Sequence, residues 1–412
     1  MTTAEIYKAY MYSYPHKTAY SALSVDFADY RGLLDNLGNL YFHVPFCAGK
    51  CGYCNLFSVT GLDADYMDAY VSACETQLRQ YGVSSFNGVT IGGGDPLILS
   101  PRLLERLLAL CGDAEICIEM SPNETTYEKL SLLKQFNTSR ISIGVQSFHE
   151  QELAALKRGH SAKTAKRALE LIGRGFPCVN LDLIYGIPTQ TLKSWEDSVK
   201  QALVFQPNEI FIYPLYIRIG TKLTESVVND HAYDMYTLAR DFLQASGYFQ
   251  VSMRKFIKRE AMAEVAESPK NCGFENMLAI GCGGRSYLGD LHFCYPYALK
   301  KRECMDIINN FIKARDKTEI THGYVLNQDE MKRRFLIKNL LHYRGVHFAE
   351  YERAFNGSAL REFPVLNALR DRGYAEINES YVKLTPLGLS LSDYIGTMFI
   401  SDDVKRKMSE WK

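Results

Sequence analysis

The 412-residue sequence has no excess of either charge: 47 Lys and Arg balance 47 Asp and Glu, for a formal net charge of +0. That balance leaves no electrostatic footprint for nucleic acid or an anionic membrane, and neither is expected as a partner. No apolar run approaches the ~18 residues of a membrane span. The first twenty residues, MTTAEIYKAYMYSYPHKTAY, lack the apolar core and small-residue cleavage site of a signal peptide, so the expected location is cytoplasmic. There is no low-complexity segment and no internal repeat beyond a strand–helix alternation. A disulfide framework is also missing: eleven cysteines, an odd number, are scattered through a large chain. Cys272, Cys282, Cys294 and Cys304 lie ten, twelve and ten residues apart without a tight CxxC, and read as buried reduced thiols rather than a second cluster.

What remains is a globular composition, 47% hydrophobic and 23% charged, long enough for one large domain with an appendage or for two to three domains. Six short apolar runs predict strands: NLYFHV (39–44), GVTIGG (88–93), EICIEM (115–120), RISIGV (140–145), CVNLDLIY (178–185) and EIFIYPLYI (209–217). Amphipathic stretches between them, such as ADYMDAYVSACETQLRQY, PRLLERLLALC, SAKTAKRALELIGR and SWEDSVKQALVF, predict helices, and AYDMYTLARDFLQASGY follows the sixth. Strand, helix, strand at this spacing is the pattern of parallel βαβ units, and six of them suit an α/β partial (βα)6 barrel better than a closed barrel of eight. From about residue 326 the pattern changes to helix, helix, short β-wing and a last helix, a winged-helix-like arrangement suited to a lid. The expected division is a tail at 1–36 packing near the active site, a barrel with its extension at 37–325, and a C-terminal domain at 326–412.

Chemistry in parallel sheets collects at the carboxyl ends of the strands. There the sequence places its polar and glycine-rich pieces: the cysteines after strand one, GGGDP after strand two, Glu119 in strand three, Gln146 after strand four and Asp182 in strand five. Cys47, Cys51 and Cys54, in HVPFCAGKCGYCNLF, admit three readings. With His43 they could complete a structural zinc site, although His43 lies within a strand and zinc sites usually pair two ligand knuckles. They could be unligated thiols. Or they could hold three irons of a [4Fe–4S] cluster whose fourth iron stays open for a small molecule. CxxxCxxC on the loop after a first barrel strand favours the last.

CAGKCGYC resembles the cysteine motif of the radical S-adenosylmethionine (radical SAM) enzymes. YFHVPFC, TIGGGDP, EMSPNETT, RISIGVQSF, VNLDLIYGIP, YIRIGTKL, AIGCGGRSYLGD and LTPLGL resemble, in order and over most of the chain, the branch holding oxygen-independent coproporphyrinogen III oxidase (HemN) and the haem chaperone HemW. The resemblance implies that SAM's amino and carboxylate groups fill the fourth iron. It also implies reductive cleavage to a 5′-deoxyadenosyl radical that takes hydrogen from a substrate, with a flavodoxin or ferredoxin as reductant. On this resemblance Gly92, Gly93 and Gly94 approach the methionine moiety, although alone they would serve an ordinary βα turn. Glu119 and Asp182 suit ribose hydroxyls, and Tyr41, Tyr53, Asp95, Gln146 and Arg158 complete the expected SAM contacts.

Four departures accompany the resemblance. Leu56 stands where the decarboxylase has a further cysteine, and Asp95 where threonine is common. The HNxxYW-type motif is missing upstream of AIGCGG, and Arg285 replaces a histidine. YSYPHKTAY resembles the decarboxylase's N-terminal segment near the active site, which makes His16 and Lys17, with Arg218 and Arg285, candidate contacts for an acidic substrate. The plainer reading is that Tyr12, Tyr14 and Tyr20 only dock the tail on the barrel. The expected function is hydrogen abstraction from a small, carboxylated, tetrapyrrole-like molecule, coproporphyrinogen oxidation being the nearest named reaction. The alternatives are a C-methylating or ring-modifying enzyme, a haem-binding chaperone of the HemW type and, more remotely, a structural zinc protein.

Overall fold

The architecture comes from a computed structural model that describes residues 9–411 apart from 12, 84, 218–220, 224–230 and 262–274. Tyr12, Arg218 and Cys272 therefore lie outside the described residues. The six expected strands are present as β1 (Asn39–Val44), β2 (Gly88–Gly93), β3 (Glu115–Met120), β4 (Thr138–Gln146), β5 (Cys178–Tyr185) and β6 (Glu209–Pro214). They pair in chain order and all in parallel, with Tyr41 opposite Thr90, Ile118 opposite Ile141 and Asp182 opposite Phe211. β4 runs past its expected end, to Gln146, whereas β6 stops at Pro214, a residue that has no N–H for the ladder.

Period-two alternation decides what each strand face does. Ile118, Ile143, Leu181 and Ile212 are fully buried in the main core, each worth roughly 1.5–3 kcal/mol on the usual burial scale. Their chain neighbours Glu119, Ser142, Asp182 and Tyr213 line a cavity instead. Crossovers are made by α1 (Ala64–Tyr81), α2 (Pro101–Ala109), α3 (Tyr127–Gln135), α4 (Glu150–Ala155) with α5 (Ala162–Ile172), and α6 (Leu192–Val204). All of these but α4 start at a side-chain cap, at Asp63, Ser100, Thr126, Ser161 and Thr191, which accept from otherwise unpaired N–H groups. After β6, α7 (Ala232–Ala245) packs back on the sheet, and later in the chain α8 (Lys301–Lys313) adds Cys304, Ile308 and Phe311 to the same core.

The sheet extends at both ends. Beyond β6 lie the antiparallel strands β8 (Lys255–Lys258) and then β7 (Tyr248–Gln250). On the other side a seventh parallel strand, β9 (Met277–Ile280), pairs with β1 from Met277 opposite Asn39 to Ile280 opposite Phe42. Four buried residues are too short a run to stand out in a sequence. The antiparallel strands β10 (Arg285–Leu288), β11 (Leu291–Cys294), β12 (His322–Val325) and a two-residue strand, Ser21–Ala22, complete a 13-stranded sheet.

From α9 (Gln328–Leu340) onward a second core forms around Leu336, Leu340, Tyr351, Leu366, Ile395 and Phe399. Its helices enclose a three-stranded antiparallel sheet of Val346–His347, Tyr381–Leu384 and Ala375–Ile377. The N-terminal tail contributes Met11, Tyr14, Ala19 and Tyr20 to this core, so the plainer reading, that Tyr14 and Tyr20 only dock the tail on the barrel, does not hold. The reason is a buried carboxylate: the Tyr14 hydroxyl donates to Glu330 and accepts from the Ser401 N–H at 3.2 Å, while the Ser401 hydroxyl donates to Glu330 at 2.6 Å. Among the described residues no helix is long and apolar enough to cross a membrane.

Candidate active site

A cavity of about 370 Å³ opens at the carboxyl ends of the strands and draws its wall from all six βα units. Cys47, Cys51 and Cys54 line it together with Gly93, Glu119, Gln146, Asp182 and Tyr213. Backbone contacts lock the cysteine loop to the glycine turn after β2: the Gly94 N–H donates to Val44 O at 2.8 Å and the Asp95 N–H to Phe46 O at 2.7 Å. A Cβ on Gly94 would stand 2.5 Å from Phe46 O and 2.9 Å from Cys47 Sγ, so only glycine lets the loops meet. Gly93, at φ +111, makes the bend. The far end of the loop is tied down by Gly52 N–H to Leu156 O at 2.8 Å and Leu223 N–H to Gly52 O at 3.0 Å.

His43, the fourth ligand of the zinc reading, does not line the cavity. Its Nε2 lies 2.9 Å from Phe57 O, and its ring fills the space left by Gly93 and Gly283. Burial holds its pKa down at about 4. Among the described residues no three His, Cys, Asp or Glu side chains are gathered to hold a single metal ion. Desolvation first, and then Cys54 and Asp95, push the Cys47 thiol up to about 12, so its thiolate needs iron or another cation against it.

The remaining expected contacts surround the cysteines. Arg158 donates through Nη1 to Cys51 Sγ at 3.2 Å and through Nη2 to Gly144 O at 2.7 Å, leaving its buried Nε without a partner. Tyr53 OH lies 3.5 Å from the same guanidinium. Two non-glycine residues with left-handed backbone bracket this group, Gln146 at φ +70 and Lys157 at φ +52. The first coincides with a register shift against β5, which turns Gln146 into the cavity. Glu119 accepts from the Gly93 N–H at 3.3 Å, and its remaining surface faces the cavity. Asp182 accepts from Asn180 Nδ2 at 2.8 Å and from the Ser142 hydroxyl at 3.4 Å. Burial raises both carboxyls, Asp182 to about 6. Asp95 also lines the cavity, but its oxygens are taken by Leu97 N–H, Ser121 N–H and the Ser121 hydroxyl, so it caps a turn.

Other sequence candidates stand outside this wall. Tyr41 lies behind it, against Gly92 and Gly284. His16 is buried, with Nδ1 2.8 Å from Thr18 Oγ1, and Lys17 Nζ sits 3.4 Å over the Tyr297 ring. Arg285 donates to Ser13 Oγ at 2.5 Å. Conversely, sequence reasoning missed Tyr10, Ser142, Tyr213 and Tyr216 on the wall and Asn180 beside it. Asn180 and Asp182, two apart in an apolar strand, carried a usable signal, since both had to face one side. Tyr10 carried none.

These residues fit a thiolate-bound cluster and SAM: three cysteines on one wall, an orphaned guanidinium donor for a carboxylate, and two incompletely partnered carboxylates for hydroxyl donors. Comparison with known proteins agrees. Residues 41–202 match the model of the radical SAM superfamily. The haem chaperone HemW of Escherichia coli is 30% identical over 262 residues, covering 60% of this chain and 68% of that protein. HemW of Bacillus subtilis is 26% identical over 391 residues, covering 88% and 99%. Coproporphyrinogen III oxidase (HemN) from Escherichia coli shares the fold, with a TM-score of 0.78 at 22% identity over 97% of this chain and 98% of that one. With the cysteine loop inside the matched segment and a HemW matched at 30% identity over two thirds of its length, the chain belongs to the radical SAM superfamily and, within it, to the HemN/HemW group.

Proposed function

We propose that this protein is a radical SAM enzyme that takes hydrogen from a small, carboxylated, flat substrate of the tetrapyrrole kind. The observation that carries this reading is one cavity in which three cysteines, two carboxylates, Gln146 and Arg158 converge with four tyrosines, Tyr10, Tyr53, Tyr213 and Tyr216. Cys47, Cys51 and Cys54 would hold a [4Fe–4S] cluster, and Glu119, Gln146, Arg158 and Asp182 would hold SAM. When bound, cluster and SAM supply the electron and the radical chemistry. The chain's own residues bind, orient and exclude water. Arg158 keeps a positive charge beside Cys51, Glu119 and Asp182 accept from hydroxyls, and the tyrosines offer flat apolar faces with polar rims. Lys50 and Arg158 bring positive charge to the wall for a carboxylate.

The curated relatives favour a second reading, a haem-binding chaperone, because they are named haem chaperones and the Bacillus subtilis HemW is matched over 99% of its length. Leu56, on the cavity wall, stands where the decarboxylase has a further cysteine and argues against the decarboxylase reaction itself. The deciding experiment uses anaerobically reconstituted protein with dithionite and SAM, alone, with coproporphyrinogen III and with haem. Substrate-dependent 5′-deoxyadenosine is expected, and carbon dioxide released with the porphyrinogen identifies decarboxylation. A methylated or ring-opened product from haem identifies the C-methylating or ring-modifying alternative. Stoichiometric haem binding with no 5′-deoxyadenosine from fully loaded protein overturns the enzyme reading.

A further inference from the structure

A cavity of about 370 Å³ sits at the small end of the ~300–1,000 Å³ range for a single small-molecule site. The two sides of its wall are held in different ways. The cysteine and strand side is pinned backbone to backbone. The part supplied by Tyr10 and Tyr216 is held differently, and one buried carboxylate holds it.

Asp393, on the C-terminal helix Ser392–Thr397, is 4% exposed. Both of its oxygens lie 2.5 Å from Arg254 Nη2, and it also accepts from the Tyr216 hydroxyl and from the Met11 N–H at 3.3 Å. The Arg254 guanidinium lies 5.6 Å from the Tyr10 ring centre and 5.9 Å from that of Tyr216, and the two rings meet edge to face at 4.2 Å. Four segments thus meet at one carboxylate: the tail, the stretch after β6, the turn between β7 and β8, and the C-terminal helix. A buried ion pair stabilises little more than an apolar contact would, but losing one partner strands the other charge. Such a junction is therefore satisfied in one arrangement and strongly disfavours partial ones. Tyr10 and Tyr216 are also the two junction residues on the cavity wall.

We propose that Asp393 is a positioning residue, a latch that seats the N-terminal tail so that Tyr10 and Tyr216 close the substrate end of the cavity. Release of the latch admits a flat substrate, and the tyrosine pair determines which substrates fit. This rests on the reading of the cavity as the SAM and substrate site. Asp393→Asn keeps the shape and removes the charge. Hydrogen exchange of the tail, residues 9–20, is expected to speed up at least ~10-fold while β1 to β6 keep their protection. The SAM Kd should stay within ~2-fold, because Glu119 and Asp182 are untouched, while substrate-independent 5′-deoxyadenosine formation rises ~5-fold as the wall opens. Tyr216→Phe keeps the ion pair and removes one hydrogen bond, so a ~3-fold rise in tail exchange is expected, and it decides the matter if Asp393→Asn does not fold. Unchanged tail exchange overturns the latch, as does exchange that rises equally in the tail and α9, which would mean general loosening of the C-terminal core. Exchange is read without cluster or SAM, so a failed turnover assay sinks the functional reading and leaves the latch standing.

Discussion

On the cysteine side of the cavity, the strand carboxylates contact neighbouring βα units, and the cysteine loop is tied within the barrel to Leu156, Arg158 and Leu223. Gly93 and Glu119 are 26 residues apart, Ser142 and Asp182 are 40 apart, and the cysteine loop is held by main-chain hydrogen bonds. On the tyrosine side, Tyr216 reaches Asp393 across 177 residues and Met11 reaches it across 382. The first wall is complete once the six βα units have assembled. The second exists only when both chain ends have docked. Sites that must hold a reactive group still belong on the first kind of wall, and those that must admit a substrate on the second.

Three experiments break or sharpen that contrast. Cys51→Ala removes a cluster thiolate and should abolish both the iron–sulfur absorption band and 5′-deoxyadenosine formation. Tail exchange should stay at the wild-type rate, because Asp393 takes Met11, Tyr216 and Arg254 as its partners and not that loop; a loosened tail would erase the distinction between the walls. Gly94→Ala drives a Cβ into Phe46 O and should cost about 1–3 kcal/mol in a denaturant titration, with lower iron loading. Equal stability with full iron would show that the two loops are not locked.

The smallest effect concerns charge. Asp182 has its folded pKa raised by burial to about 6, against about 3.9 unfolded. Its contribution to stability is therefore fully present below about pH 4 and is lost as pH rises through about 6. In ligand-free protein Asp182→Asn should gain about 1–2 kcal/mol at pH 7.5, after allowance for the side chain's partial exposure to the cavity, and nothing near pH 4. The variant's SAM affinity should fall. A stability difference that does not change with pH would mean that the carboxylate is already compensated without a ligand.

The strand wall was legible in the sequence for a definite reason. Period-two alternation put Glu119 and Asp182 opposite Ile118 and Leu181, and parallel pairing brought their strand ends together. Contacts between distant segments were not legible. His16 and Lys17, candidates by resemblance to the decarboxylase's N-terminal segment, and Arg285, a candidate cation for an acidic substrate, are engaged at Thr18, Tyr297 and Ser13. His43 looked like a ligand because it precedes Cys47, but strand alternation turns it toward Phe57. β9 was invisible because four buried residues carry no period, and the glycines that follow it, Gly283 and Gly284, make room for the rings of His43 and Tyr41.

By itself, the sequence determined the parallel βα order, the cysteine spacing and the inward-facing carboxylates, because each follows from short-range periodicity and the geometry of adjacent strands. Only the tertiary structure decided that the N-terminal tail joins the C-terminal core, that Arg254 and Asp393 meet, and that Tyr10 completes the cavity. Those contacts pair residues separated by most of the chain, and no local pattern encodes which of many buried polar groups will find each other once the ends have docked.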